Sequence, residues 1–421
     1  MTTGTTTGTA CKPELLLQRG VALFTACLML SVWPLWTKHS REFVQIPWLS
    51  MLCQIPTWVD QGLLVGVTGA IALLLFGRGH GRSQRIGCWL FVISLGGLVS
   101  LDQHRFQPWV CQFLIYGVLA AIANGPQILK SWRVIVLSIY FWSAISKLDV
   151  AFLTSHGQLL LSGMLQPLGV DFTFWPEQTR QSMALLFPAG ELLVVLLLLS
   201  RRLRIAGLAC SVVMHLILIW TLGLGLHHEW SVLIWNLFFI VQNLIVFGPW
   251  AFLPCPATPA LMPLRFWTPQ RALTSATAVA VMYPALELMG YCDHWPAWAV
   301  YSSRPAIVKV YLEETAAENL PARLKPFLGT PQPLDDRLPF SLDAWSFQTC
   351  HCPVYPQLRY RLALLQGLLA GHVPESAVTV EIFKTPNRWT GSRDRLRLHN
   401  MKAVTAYCSQ FLWNTNRRDE P

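Results

Sequence analysis

Lys147 and Asp149 are two residues apart at the close of an apolar run, Arg133-Val-Ile-Val-Leu-Ser-Ile-Tyr-Phe-Trp-Ser-Ala-Ile-Ser-Lys-Leu-Asp149. An ionisable side chain at the edge of a hydrocarbon layer is expensive to bury, and such residues mark sites by default. The alternative is a lysine that snorkels to the interface and does no chemistry. The i, i+2 spacing puts Lys147 and Asp149 on different helical faces, so the helix ends or turns between them. As chemistry, an amine withdrawn from water loses its preference for the charged form and becomes available as a base.

Further polar groups lie in or between apolar runs. Leu101-Asp-Gln-His-Arg-Phe-Gln-Pro-Trp109 places Asp102, His104 and Arg105 in one short turn. It is read either as a solvated loop with an interfacial Trp or as part of a site at the bundle mouth, held by the two helices it joins. Glu191 follows the helix-disturbing Phe187-Pro-Ala-Gly, and His215 sits mid-run in Val212-Val-Met-His-Leu-Ile217. Glu287 follows Tyr283-Pro-Ala-Leu at the end of the last apolar run. A lone His on an apolar helix is more often packed and hydrogen-bonded than catalytic. Side chains of this kind at membrane depth nevertheless face the bundle interior or a water-filled cavity. The candidate site is therefore Lys147, Asp149, His215, Asp102, His104 and Glu191, around a polar chamber.

The elements that must position these residues follow from composition. The chain has 421 residues, 53% hydrophobic and 13% charged. Soluble domains carry about 25% charged residues, so the expectation is an integral membrane protein. Its net charge of +10 lies in short basic clusters between apolar runs, where it orients helices, and nucleic acid is not an expected partner. The apolar runs fall near 20–36, 60–76, 86–101, 109–127, 133–148, 181–199, 205–225, 230–250 and 272–290, about nine spans against the ~20 residues each needs. The first lacks a small-residue cleavage site and reads as a retained helix behind a polar leader at 1–19.

With the N-terminus cytoplasmic, the inner loops hold Arg78, Arg82 and Arg85, then Lys130 and Arg133, then Arg201, Arg202 and Arg204, then Arg265 and Arg271. The outer loops hold only Lys38, Arg41, Arg105 and Arg180, which fits the positive-inside rule. Nine spans then put the C-terminus, and Lys147, on the outer side of a cell membrane or endomembrane. The predicted architecture is an all-α polytopic bundle over 20–290 with a small extracytoplasmic α+β domain over 291–421. In that domain Ala306–Leu312 and Ala377–Phe383 have strand character, and Arg359–Ala370 has helical character.

Of the 11 cysteines, Cys53, Cys292, Cys350, Cys352 and Cys408 fall on the predicted outer side, where a bridge from Cys53 to the C-terminal domain would tie cap to bundle. Cys350-His351-Cys352 has awkward spacing for a metal chelate and no second cluster, so no metal site is expected. No P-loop, Gly-x-Ser-x-Gly elbow, His-Glu-x-x-His motif or dinucleotide fingerprint occurs.

Tyr140-Phe-Trp-Ser-Ala-Ile-Ser-Lys-Leu-Asp-Val-Ala-Phe152, followed by Phe187-Pro-Ala-Gly-Glu191 and Val213-Met-His215, resembles the horizontally transferred transmembrane (HTTM) family, the membrane domain of vitamin K-dependent γ-glutamyl carboxylase and its bacterial relatives. The resemblance spans about residues 10–250 and rests on short motifs. It implies a role for Lys147 as the base that deprotonates a reduced quinone, with Asp149 beside it and His215 matching a histidine of a later helix. Leu101-Asp102 resembles the start of a family loop that continues with Asn-Asn-His. Here that place reads Gln107-Pro108-Trp109, with His104 a few residues earlier, and the C-terminal tail is far shorter than the carboxylase's. The expectation is a bundle of this type with altered or lost chemistry, not protein glutamate carboxylation.

Three functions stay open. One is a membrane enzyme acting on a quinol or other lipid-soluble substrate with Lys147 as base. The second is a non-catalytic membrane assembly or scaffold protein whose outer domain recruits a protein partner. The third is a DoxX/MauE-like redox-associated membrane protein, against which the lack of a Cys-x-x-Cys pair counts.

Overall fold

The computed structural model describes residues 13–37, 43–77, 82–123, 126–249, 268–331 and 337–418. The polar leader up to residue 12, and Lys38, Arg41, Arg78 and Arg265 of the charge pattern, lie outside them.

The chain is mostly helical, with α1 Pro13–Ser31, α2 Trp33–Thr37, α3 Trp58–Phe76, α4 Arg82–Leu101, α5 Pro108–Ile122 and α6 Pro126–Lys147. There follow α7 Val150–Thr154, α8 His156–Leu165, α9 Glu177–Leu199, α10 Arg204–Trp220, α11 Trp230–Phe247 and α12 Pro269–Met282. Eight described helices are long and apolar enough to cross a membrane: α1, α3, α4, α6, α9, α10 with its extension to Gly225, α11, and α12 with its extension to Met289.

Of the nine expected runs, the one at α5 falls short of that length. Its 15 residues rise only about 23 Å, short of a ~30 Å hydrocarbon layer. Most of its side chains are buried, Gln112 and Phe113 fully so, which makes it a central core helix. The first described helix includes residues 13–19 of the expected leader. Pro34 then falls in the first turn of the separate short helix α2.

One close approach shapes the bundle. Past α10 the backbone widens into a π-turn over Thr221–Gly225, a distortion frequent at functional sites. Gly225 lies so near the Gly163 carbonyl of α8 that a side chain at 225 would overlap that backbone.

The C-terminal region holds a four-stranded antiparallel sheet, ordered β2-β1-β3-β4, from β1 Ile307–Glu313, β2 Arg337–Phe340, β3 Val378–Phe383 and β4 Arg395–Leu398. Val310 pairs with Phe340 on one side and Val380 on the other, and Val380 in turn pairs with Leu398. Four helices accompany it: α13 Glu314–Glu318, α14 Leu342–Cys350, α15 Leu358–Leu369 and α16 Met401–Cys408. The strands expected at 306–312 and 377–383 and the helix at 359–370 are present within a residue or two. In α15, Leu362, Leu364, Leu365 and Leu368 are buried, each contributing about 1.5–3 kcal/mol of apolar transfer.

This region is bolted to the bundle end carrying the 102–107 loop. Gly367 of α15 meets Val44 so closely that a Cβ there would clash. Phe43 packs on Trp345 with ring centroids 6.0 Å apart. Cys53 joins the tail through hydrogen bonds, its Sγ 3.5 Å from Asn414 Nδ2 and 3.8 Å from the Asn416 carbonyl.

Candidate functional site

The six candidate residues separate into three places. Lys147, Glu191 and His215 line one cavity of about 360 Å³ between α6, α8, α9, α10 and α11. Its walls are mainly apolar, with Leu160, Met164, Phe187, Met214, Leu222 and Phe239 among them. Asp149 stands apart, and Asp102 with His104 lies beneath the C-terminal region.

Lys147 closes α6, so its side chain projects from the last turn toward α9. Its Nζ lies 3.0 and 3.2 Å from the two Glu191 carboxylate oxygens and 2.5 Å from Ser143 Oγ. Ser143 Oγ in turn donates to Glu191 Oε1 at 3.0 Å. The pair is largely buried, with 5% of the Lys147 and 13% of the Glu191 side chain exposed. Pro188, one turn before Glu191, has no N–H to give the preceding helical turn, which leaves the α9 backbone locally short of a bond beside the cavity.

His215 is fully engaged. Its Nδ1 donates to Asn236 Oδ1 at 2.9 Å, which leaves Nε2 to accept from Tyr140 OH at 2.7 Å. Asn243 Nδ2 donates to Tyr140 OH at 2.6 Å, and the imidazole stacks on Phe239 at 4.8 Å. With both ring nitrogens occupied, His215 is held in place on the cavity wall.

Asp149 is not the lysine's partner. It caps α7, accepting from Phe152 N at 2.6 Å. Burial raises its carboxyl above the ordinary range, against the opposing pull of the Phe152 N–H and of Arg304, Arg388 and Arg393. The helix end that the sequence suggested falls between Lys147, the last residue of α6, and Asp149, the cap of α7, and it turns the two side chains apart.

Asp102 and His104 are not at an open mouth. Residues 102–105 are at most 1% exposed, because the segment from Trp345 to Tyr360 seals the loop. Asp102 Oδ1 accepts from the His104 backbone N–H at 3.1 Å. His104 Nε2 faces the Pro353 carbonyl at 3.2 Å, Ser346 Oγ at 3.1 Å and Cys352 Sγ at 3.7 Å. Arg105 pairs with Asp60 at 2.5 Å, and Arg418 of the C-terminal tail pairs with the other Asp60 oxygen at 2.5 Å. Glu287 holds Arg304 at 3.0 Å and His294 at 3.1 Å, so it is a structural tie.

A second cavity, about 520 Å³, lies between the bundle and the C-terminal region and shares Trp235, Val300 and Tyr301 with the first. Tyr301 is held at φ +55°, a left-handed conformation that a bulky residue adopts only when its surroundings impose it.

Sequence reasoning missed Ser143, Tyr140, Asn236, Asn243, Asp60 and Arg418. Some left a signal. Tyr140, Ser143 and Lys147 follow i, i+3, i+7, Ser211 and His215 are four apart, and Asn236 and Asn243 are seven apart, each set one helical face. Among the described residues no His, Cys, Asp and Glu cluster fit for a metal ion occurs.

The fold and site together define a mostly helical protein with eight helices able to cross a membrane, a small C-terminal antiparallel sheet, and a charged pair beside an apolar cavity. No family model, curated protein or solved structure matches the chain.

Proposed function

We propose that this chain is a membrane protein that binds a lipid-soluble molecule carrying an acidic hydroxyl, of the quinol class, in the Lys147 cavity and moves that hydroxyl's proton. The observation that carries this reading is the Lys147–Glu191 pair on the wall of an otherwise apolar cavity. Ligand sites for such molecules are largely apolar with a few placed polar groups, and this volume falls within their usual range of roughly 300–1,000 Å³.

The geometry supports a different division of the proton chemistry within the pair. While Lys147 is an ammonium donating to Glu191 and Ser143, the lone pairs able to take a proton belong to Glu191. On this reading Glu191 accepts the hydroxyl proton and the Lys147 cation stabilises the resulting oxyanion. Lys147 acts as a base itself only after passing its own proton to Glu191, so the two residues work as one acceptor. The resemblance of Tyr140–Phe152 to the HTTM membrane domain supports the same substrate class, and the basic loops support a cytoplasmic N-terminus; with α5 counted as a ninth, shorter crossing, the C-terminal region lies outside.

The test uses the full chain in membranes supplied with a short-chain reduced quinone. With dissolved dioxygen as the oxidant of the deprotonated quinol, oxidation of the quinol accelerated by wild type, and cut about a hundredfold by Lys147→Ala and by Glu191→Gln, is the expected result. Equal rates in wild type and both variants would remove the reading.

A further inference from the structure

Cys350 and Cys352 flank His351 just past α14, and both thiols are buried, at 0% and 1% exposure. His351 takes a left-handed conformation, φ +56°, which folds the chain tightly between them. Two donors of the bundle loop converge on the Cys352 sulfur, His104 Nε2 and Gln107 Nε2, each 3.7 Å from Sγ. The Cys350 side chain stands beside it in the same turn. An apolar thiol has no use for two such donors, whereas a thiolate does.

We infer that Cys350 and Cys352 form a redox-active dithiol, oxidised to an intrachain disulfide by a small hydroperoxide, with the Cys352 thiolate as attacking sulfur and His104 as its proton donor. Burial selects the oxidant, since a protein disulfide cannot reach either sulfur. A peroxide-sized molecule can approach from the 520 Å³ cavity, whose wall includes Gln107 and Pro353, both adjoining Cys352. The Cys352 sulfur attacks one peroxide oxygen and the O–O bond breaks. The departing hydroxide takes the proton of the His104 imidazolium and leaves as water, or as an alcohol from an alkyl hydroperoxide. The sulfenic acid so formed is attacked by Cys350, an S–S bond forms, and the displaced hydroxide leaves as water with the Cys350 proton. Two thiols supply the two electrons that the peroxide takes up.

The electrostatics agree with this geometry. Burial alone would push the Cys352 thiol up, but the Cys350 hydrogen bond and the His104 charge outweigh it and bring it down to about 6. Burial likewise pulls the His104 imidazole down, and the Cys352 and Asp102 charges more than reverse this. The other titratable or charged groups around the pair are Arg105 beside Asp102, and Tyr360, whose ring lies 5.3 Å from that of His104. Cys408, in the same region, is buried with no comparable donors and is pushed up to about 11.

The experiment exposes the full-length protein to graded hydrogen peroxide, then denatures it, alkylates remaining thiols and digests with trypsin. Cys350 and Cys352 lie on one peptide, Leu338–Arg359, which becomes two hydrogens lighter on disulfide formation. That loss is expected at peroxide doses roughly tenfold below those that modify Cys408. Oxidation of the two sites in parallel would overturn the inference. With Cys350→Ser, dimedone should trap Cys352 as a sulfenic acid, and no adduct would exclude Cys352 as the attacking sulfur. The rate in wild type should level off above about pH 6, while His104→Gln should keep rising with pH. Identical pH profiles would remove His104 from the site.

Discussion

Lys147 Nζ lies 3.0 Å from Glu191 Oε1, joining the end of α6 to the middle of α9 across the wall of an apolar cavity. The nearest acid in sequence, Asp149, is committed to capping α7. The pair is therefore a product of the tertiary fold, and its members depend on each other for charge balance.

That dependence has a stability signature. Removing one member leaves its partner charged and poorly solvated, so Lys147→Met and Glu191→Leu should each destabilise by about 3 kcal/mol, whereas the two combined should restore most of the loss. Thermal melts of the four proteins in one detergent form the double-mutant cycle. Additive losses would mean that the two residues are not coupled.

The Asp60 carboxylate is held by Arg105 from the loop and Arg418 from the tail, and Arg418 also donates to the Ile55 and Pro56 carbonyls at 2.8 Å. The tail is thus a latch between the C-terminal region and the bundle. Ending the chain after Trp413 removes Arg418 and Asn414 and should make the segment beyond residue 291 much more sensitive to protease in folded protein. Unchanged cleavage kinetics would show that the other contacts hold the region alone.

Glu381 on β3 takes hydrogen bonds from Arg395 and Arg397 on β4. Burial raises its carboxyl, but these two arginines outweigh it and hold it below the ordinary range. A depressed acid contributes stability that is present above its unfolded value near 4.5 and is lost as pH falls through its lower folded value. Amide protection factors of β4 should therefore fall on acidification through and below pH 4.5 in wild type. Glu381→Gln should show fast exchange already at neutral pH, with a flatter profile. A profile in Glu381→Gln as steep as in wild type would assign the acid sensitivity elsewhere.

Gly225→Ala would drive a methyl into the Gly163 backbone carbonyl. Because backbone cannot rotate aside, α8 must move from the π-turn that walls the cavity with Leu222. A loss of a few kcal/mol is expected, together with weaker quinol binding. A variant with wild-type melting and binding would show that this close approach does not shape the cavity.

Periodicity and composition made the helices legible, since an apolar run of twenty residues has few other structures open to it. The run at α5 gives a shorter helix than the other runs, because hydrophobicity alone does not set where an apolar helix ends. The short strands β2 and β4 went unseen: Arg337–Phe340 contains a proline, and Arg395–Leu398 alternates arginine with leucine on a sheet edge. In the site, Lys147, Glu191 and His215 stood out as polar residues in apolar runs. Their pairing did not, because Lys147 and Glu191 are joined by an intervening turn and two short helices that carry no pairing signal. Asp102 and His104 were visible as a polar turn, yet its cover, Trp345–Tyr360, lies over two hundred residues away.

The most direct measurement is equilibrium binding of a reduced short-chain quinone to the purified full-length protein in lipid nanodiscs, with the Lys147→Met, Glu191→Leu double variant beside it. The account predicts saturable binding at one site per chain in wild type, and only linear partitioning into lipid in a double variant that keeps the wild-type melting temperature. Saturable binding of equal affinity in both proteins would contradict it.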